Sequence, residues 1–272
     1  MPKTRSLTVS LLNNVEKTSL SKEIIIKNLR YAKVFDVETK GKVVSTNDIV
    51  KERIAQGAKE GLVVVADSQT KGRGTKGRSF FSPKDTGLYA SILVCPTLSV
   101  APYLTAMTAV SVAKAIENLN GKASTIKWVN DIYVKNKKCA GILTEAVSIG
   151  SSFSHAVIGI GVNVVEPVGG FPDEVKDIAG VAFDNNADEL KEKLVAEILN
   201  VFYELYSNFD KEYVLKEYKS RSFLNGKCVF VVSHSGEKLA RVLDVDREFK
   251  LVVKYDDGSV ESINSGEVKV VW

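Results

Sequence analysis

Apolar residues recur along this chain in two rhythms, and the switches between them mark out its elements. STNDIVKERIAQG, from Ser45, sets Ile49, Val50 and Ile54 at helical spacing; Ser45 or Thr46 can cap the start and Gly57 can end it. GLVVVAD (Gly61 to Asp67) and GLYASILV (Gly87 to Val94) are apolar runs of strand length. YLTAMTAVSVAKAIENLNG returns to helical period through Leu104, Val112, Ile116 and Leu119, with Gly121 just past its end. STIKWVNDIYV and CAGILTEAV read as two strands joined by the basic turn KNKK. HAVIGIGVNVV reads as a third, its glycines marking close backbone approach. Helical period resumes from about Ala187 to Ser207 through Leu190, Leu194, Ile198 and Leu205, and KEYVLKEYKSRS adds another helix. The first 40 residues or so are mixed, with a short helix in SKEIIIKNLRYA.

From about Phe223 the rhythm shortens. CVFVV, LARVLDV, KLVVKY, VESIN and VKVVW are separated by SHSGE, DREF, DDGS and SG, with Asp257-Gly258 a good hairpin turn. This pattern predicts a small all-β barrel at the C-terminus. The whole reads as α+β, a sheet-and-helix domain followed by a β module.

Composition adds bounds. With 272 residues, 44% of them hydrophobic, the chain can bury a substantial core. Cys95, Cys139 and Cys228 are dispersed and without C-x-x-C spacing, which argues against a disulfide framework or a structural zinc site and for a cytoplasmic setting. The N-terminus lacks the apolar core of a signal peptide and no uncharged membrane-length run occurs, so neither export nor a membrane partner is expected. A net charge of +4 is too mild to imply nucleic-acid binding. Local charge is more telling: Lys71, Arg73, Lys76 and Arg78 form one acid-free cluster and Lys135, Lys137 and Lys138 a second, suggesting an anionic small molecule rather than a polyanion.

The stretch KGRGTKGRSF, Lys71 to Phe80, contains G-x-G-x-x-G at Gly72, Gly74 and Gly77. A dinucleotide fingerprint needs a helix beginning within the motif, to place its N-terminus at the pyrophosphate, and an acid at the end of the next strand. Here RSFFSPKD opposes a helix and the next strand ends in LVCP. Two readings stay open: a solvated surface turn, or a mobile loop that wraps an anion, with Arg73 and Arg78 offering bidentate phosphate contacts. His155 and His234 give too little material for a catalytic triad or metal site, and no metal ligands are identified. Asn130 and Asp131 lie between Val129 and Ile132; they are either strand residues, one pointing inward and needing a partner, or a bulge or turn.

STN at Ser45, QTKGRGTKGRSFFSP from Gln69, KWVND from Lys127, KKCAGILTE from Lys137 and GIGVNV from Gly159 together resemble biotin protein ligases in order and spacing. The resemblance implies a class II synthetase-like catalytic domain at 40–222, a mixed β-sheet with flanking helices. An N-terminal extension at 1–39 and an SH3-like β-barrel domain at 223–272 complete the expected division. It implies that ATP and biotin form biotinyl-5'-AMP, and that a lysine of a biotin carboxyl carrier domain, such as that of acetyl-CoA carboxylase, then takes the biotin. Magnesium is expected on the phosphates. By the family pattern Lys138, Asp131 and Arg73 are catalytic, with Asp131 orienting or deprotonating the acceptor lysine. Ser45, Thr46, Asn47, Gln69, Gly72, Arg73, Lys138 and Gly141 are biotin contacts, and Arg73, Thr75, Lys76, Arg78, Phe80, Asn130 and Asn163 hold the ATP or adenylate.

Three positions depart from the pattern: Thr75 where an arginine normally helps retain the adenylate, Phe80 where tryptophan is common, and Val129 where proline is common. The N-terminal segment is too short for the winged-helix domain of bifunctional repressors, so no nucleic-acid partner is expected, while a homodimer is compatible. The rival readings are a lipoate or octanoate ligase or transferase, lacking here its usual arginine- and glycine-rich loop, and a non-catalytic biotin or adenylate sensor.

Overall fold

The unbroken apolar runs become the middle of a sheet. In the computed structural model, which describes residues 18–149, 152–233, 236–264 and 266–271, the chain opens with α1 (Lys22–Asn28), β1 (Asp36–Val43), α2 (Thr46–Ala55), β2 (Leu62–Gln69) and β3 (Gly87–Val94). There follow α3 (Leu104–Asn120), β4 (Thr125–Lys127), β5 (Asp131–Val134), β6 (Lys137–Ile149), β7 (Ser152–Asn163), α4 (Leu190–Ser207) and α5 (Lys211–Ser220). Seven strands form one sheet in the order β1-β2-β3-β7-β6-β5-β4. It is mixed, because β1 and β2 run parallel while the other pairs are antiparallel.

β2 shows why its sequence lacks alternation. Val63 and Val65 belong to the large core under α3 and α4, whereas Leu62 and Val64 pack on the opposite face with Val50 and Ile54 of α2. Both faces are covered, and each buried valine contributes about 1.5–3 kcal/mol. α3 is buried along most of its length, and Gly121 ends it in the left-handed conformation (φ +68°).

The C-terminal module comprises β8 (Cys228–Ser233), β9 (Gly236–Val245), β10 (Leu251–Tyr255), β11 (Val260–Ile263) and β12 (Glu267–Val270). They form an antiparallel sheet in the order β11-β10-β9-β8-β12, a second small β domain as expected. Its Val229, Val242, Leu251 and Val253 join the main core. The Trp128 indole N–H donates to the Phe249 carbonyl (2.8 Å), fastening the module to the seven-stranded sheet domain.

Two expectations need revision. STIKWVNDIYV is a β4–β5 hairpin turning at residues 128–130, with a cis Trp128–Val129 peptide, so Asn130 takes the turn alternative while Asp131 opens β5, paired with Lys127 and Gly141. At this turn Tyr218 donates to the Val129 carbonyl (3.0 Å), and Trp128 donates to the C-terminal module. At the other end, β1 straddles residue 40 and pairs with β2, and α1 packs on the core through Ile25, so the described part of the expected extension is integral to the sheet domain. Residues 1–17 and His234 lie outside the described residues. Among those described, no helix is long and apolar enough to cross a membrane.

Candidate functional site

Lys138 and Gly141 are three residues apart, which in a regular strand puts them on opposite faces. The β5–β6 register, Asp131↔Gly141, Ile132↔Ala140 and Tyr133↔Lys138, leaves Cys139 as an extra residue in β6. This bulge returns Lys138 to the face of Asp131 and Gly141, a known use of bulges beside functional sites. The ammonium lies 2.6 Å from Asp131 Oδ1, and a Cβ added to Gly141 would stand 3.6 Å from Lys138 Cε and Nζ. Asn130 fixes the turn before Asp131 by donating from Nδ2 to the Ile142 carbonyl (2.8 Å).

The neighbouring strand continues this bare floor. Gly161 of β7 pairs with Gly141, and a Cβ on it would come within 2.6 Å of the Phe80 ring. One added to Gly159 would meet Asn47 Oδ1 at 2.4 Å. The glycines of GIGVNV therefore let Phe80 and Asn47 rest on the backbone of the sheet.

The start of α2 supplies a polar corner. Ser45, Thr46 and Asn47 are all buried. Gln69 Oε1 accepts from the Thr46 backbone N–H (2.9 Å) and hydroxyl (3.2 Å), while Gln69 Nε2 donates to Ser82 Oγ (3.1 Å). Ser91 Oγ, fully buried on β3, donates to Asn47 Oδ1 at 2.5 Å. Such a cluster, held in place by its own bonds, suits a small polar head group.

KGRGTKGRSF, for which the sequence leaves both a surface turn and an anion-wrapping loop open, takes the form of a hairpin lining the cleft. Arg73 pairs with Ser79, the Gly74 N–H donates to the Arg78 carbonyl (2.7 Å), and Lys76 (φ +57°) and Gly77 (φ +73°) turn the tip. Arg73 Nη2 donates to Asp48 Oδ1 (2.5 Å) and Glu145 Oε2 (3.2 Å). Glu145 also accepts from Asn47 Nδ2 (2.7 Å) and Lys51 Nζ (2.8 Å). Burial works to raise its pKa, but the bonds from Lys51 and Asn47 and the charges of Lys51 and Arg73 prevail and hold it below the usual carboxylate range.

These elements enclose a cleft of about 380 Å³. Ser45, Thr46, Asn47, Gln69, Arg73, Thr75, Lys76, Arg78, Phe80, Asn130, Asp131, Lys138, Gly141 and Asn163 all line it. Gly72 does not: it is buried behind the hairpin, where a Cβ would strike Ser82 Oγ at 2.5 Å and the Phe80 carbonyl at 2.6 Å. Among the described lining residues Arg73, Lys76, Arg78, Lys127 and Lys138 face a single acid, Asp131, so the cleft is strongly cationic. The described residues contain no cluster of three or more metal-ligating side chains.

Other contributors escaped the sequence reading. Phe171, Val175, Ile178 and Ala179, from the segment between β7 and α4, form an apolar wall, and Asn264, Gly266 and Val268 of the C-terminal module close one side. Nothing local to those segments signals that they meet the cleft. Asp48 and Glu145 were also missed as partners of Arg73, although an acid in the apolar run GILTEAV is a signal that could have found Glu145.

Residues 41–163 match the model of the biotin/lipoate A/B protein ligase family. A bifunctional ligase/repressor BirA of Bacillus subtilis is 41% identical over 137 residues, which are 50% of this chain and 42% of that protein, so the matched stretch spans under half of that relative's length. A biotin–[acetyl-CoA-carboxylase] ligase of Mycobacterium tuberculosis is 28% identical over 244 residues, 82% of this chain and 85% of that one. Among solved structures, a biotin protein ligase from Aquifex aeolicus in complex with biotin and ATP superposes with a TM-score of 0.70 at 26% identity, covering 87% of this chain and 98% of that one.

Proposed function

We propose, from the match of residues 41–163 to the biotin/lipoate A/B protein ligase family and the likeness to biotin ligases along most of the chain, that the chain is a member of that family which activates biotin with ATP as biotinyl-5'-AMP and transfers the biotin to a lysine of a biotin carboxyl carrier domain. The observation that carries this reading is the charge pattern of the cleft: five cations around one carboxylate, next to a buried polar corner. In the first step a biotin carboxylate oxygen attacks the α-phosphorus of ATP and pyrophosphate leaves. Two anions must approach and more charge develops as they react, so cations aimed at that point lower the barrier. Arg73, Arg78 and Lys138 fill this role, with the polar corner of Thr46, Asn47 and Gln69 holding the biotin head group and Lys76, Asn130 and Asn163 lying on the nucleotide side.

In the second step the acceptor lysine attacks the anhydride carbonyl and AMP leaves. The lysine nitrogen must lose protons, and Asp131 is the acid that lines the cleft to receive one. Lys138, 2.6 Å from Asp131, offsets the phosphate of the departing AMP. Asp131 is the sole carboxylate among the described lining residues, so magnesium would be held chiefly by the nucleotide phosphates, whose charge it would screen.

Incubation with ATP, magnesium and a biotin carrier domain, with biotin or lipoate supplied in turn, tests the reading by intact mass of the carrier. A gain matching one biotin is expected. A gain with lipoate alone would assign the chain to the lipoate branch, and no gain with either would favour a sensor.

A further inference from the structure

Arg73 lines the cleft, yet the two residues whose carboxylates hold it, Asp48 and Glu145, do not. Both grip the same nitrogen, Nη2. A guanidinium carries five N–H donors in a planar fork, so carboxylates on Nη2 leave the donors of Nε and Nη1 available to a ligand. Glu145 is bound in turn to α2 through Asn47 and Lys51, and sits on β6 seven residues beyond Lys138. One side chain thus ties together the flap hairpin, the start of α2 and the strand that carries the catalytic lysine. Glu145 remains charged at neutral pH, as that grip requires.

We propose that Glu145, assisted by Asp48, is a positioning residue that aims Arg73 at the anionic group of the ligand and locks the flap in register with β6. This rests on the ligase reading for the identity of that anion, the biotin carboxylate and then the phosphate of the adenylate. The carboxylates are not among the lining residues; they reach the cleft through Arg73 and, for Glu145, also through Asn47.

The test is a double-mutant cycle on the full chain: Glu145→Gln and Asp48→Asn, each alone and with Arg73→Gln. Glutamine keeps an acceptor for Asn47, and Asp48 is 40% exposed, so the variants should fold. Single-turnover formation of biotinyl-adenylate is expected to slow roughly tenfold in Glu145→Gln and somewhat less in Asp48→Asn. In the Arg73→Gln background each substitution should change the rate less than about twofold, because the group it positions is gone. Binding supplies a second readout: each single variant should weaken biotin several-fold while leaving its neutral methyl ester within about twofold, since only the carboxylate calls on Arg73. Losses that simply multiply with Arg73→Gln, or equal weakening of biotin and its ester, would overturn the proposal. A wild-type chain that binds biotin but makes no adenylate would sink the ligase reading instead, and the binding comparison would still decide this one.

Discussion

Two arginines in this molecule meet carboxylates in different ways. Arg221, beyond the end of α5, commits every nitrogen: Nε and Nη2 donate to the two oxygens of Glu117 (3.1 and 2.7 Å), and Nη1 to Glu217 (3.0 Å). Glu117 further accepts from the Ser124 N–H and hydroxyl (3.2 and 3.0 Å). Burial opposes the charge on both groups, but the pairing prevails, lowering the Glu117 pKa and raising that of Arg221. Arg73 uses Nη2 alone, and Lys138 meets one oxygen of Asp131. The fully engaged cluster ties α3 to the end of α5, whereas the partly engaged cations keep donors beyond those their carboxylates use. The same chemistry uses up its donors in one place and holds some back in the other.

Substitutions can break that contrast. The largest effect belongs to Lys138→Ala, expected to slow adenylate formation about 10³-fold with the melting temperature nearly unchanged, as single-turnover kinetics beside a thermal melt would read. Asp131→Asn should separate the half-reactions: adenylate forms at near the normal rate, while transfer to the carrier lysine falls about 10²-fold. Glu117→Gln should do the reverse, leaving both half-reactions intact and losing about 1–3 kcal/mol of stability. Because the folded pKa of Glu117 is depressed, its contribution is complete above the unfolded value of about 4.3 and is lost as pH falls through the lower folded one. Denaturant melts should therefore show the gap to wild type full at pH 7 and closing below about pH 4. The smallest effect is at the flap tip, where Thr75→Arg should slow escape of bound adenylate roughly three- to tenfold in a dilution-release assay.

Much of this arrangement was legible in the sequence, for identifiable reasons. β2, β3 and α3 announce themselves because their burial is decided within the element, by runs such as LVVVA and by Leu104, Val112 and Ile116 at helical spacing. β1, DVETKGKV, is an edge strand with Val37 as its buried apolar side chain, and its parallel pairing with β2 leaves no local pattern. The β4–β5 hairpin hides in an apolar run because Trp128 faces another module instead of a strand neighbour. The candidate site residues were readable because they cluster in five short motifs, and all but Gly72 reach the cleft. What stayed hidden depends on long-range placement: the Asp48 and Glu145 grip on Arg73, the wall from Phe171 to Ala179, and the side closed by Asn264 and Gly266.

The most direct test follows both halves of the reaction in one vessel. The wild-type chain is mixed with biotin, magnesium and ATP labelled in both the α- and γ-phosphates, without carrier, and protein-bound and free products are separated. The account predicts pyrophosphate and biotinyl-5'-AMP in equal amounts, the adenylate retained on the protein, and its conversion to AMP and biotinylated lysine once the carrier domain is added. Carrier labelling without prior pyrophosphate release, or no adenylate under saturating biotin and ATP, would contradict it.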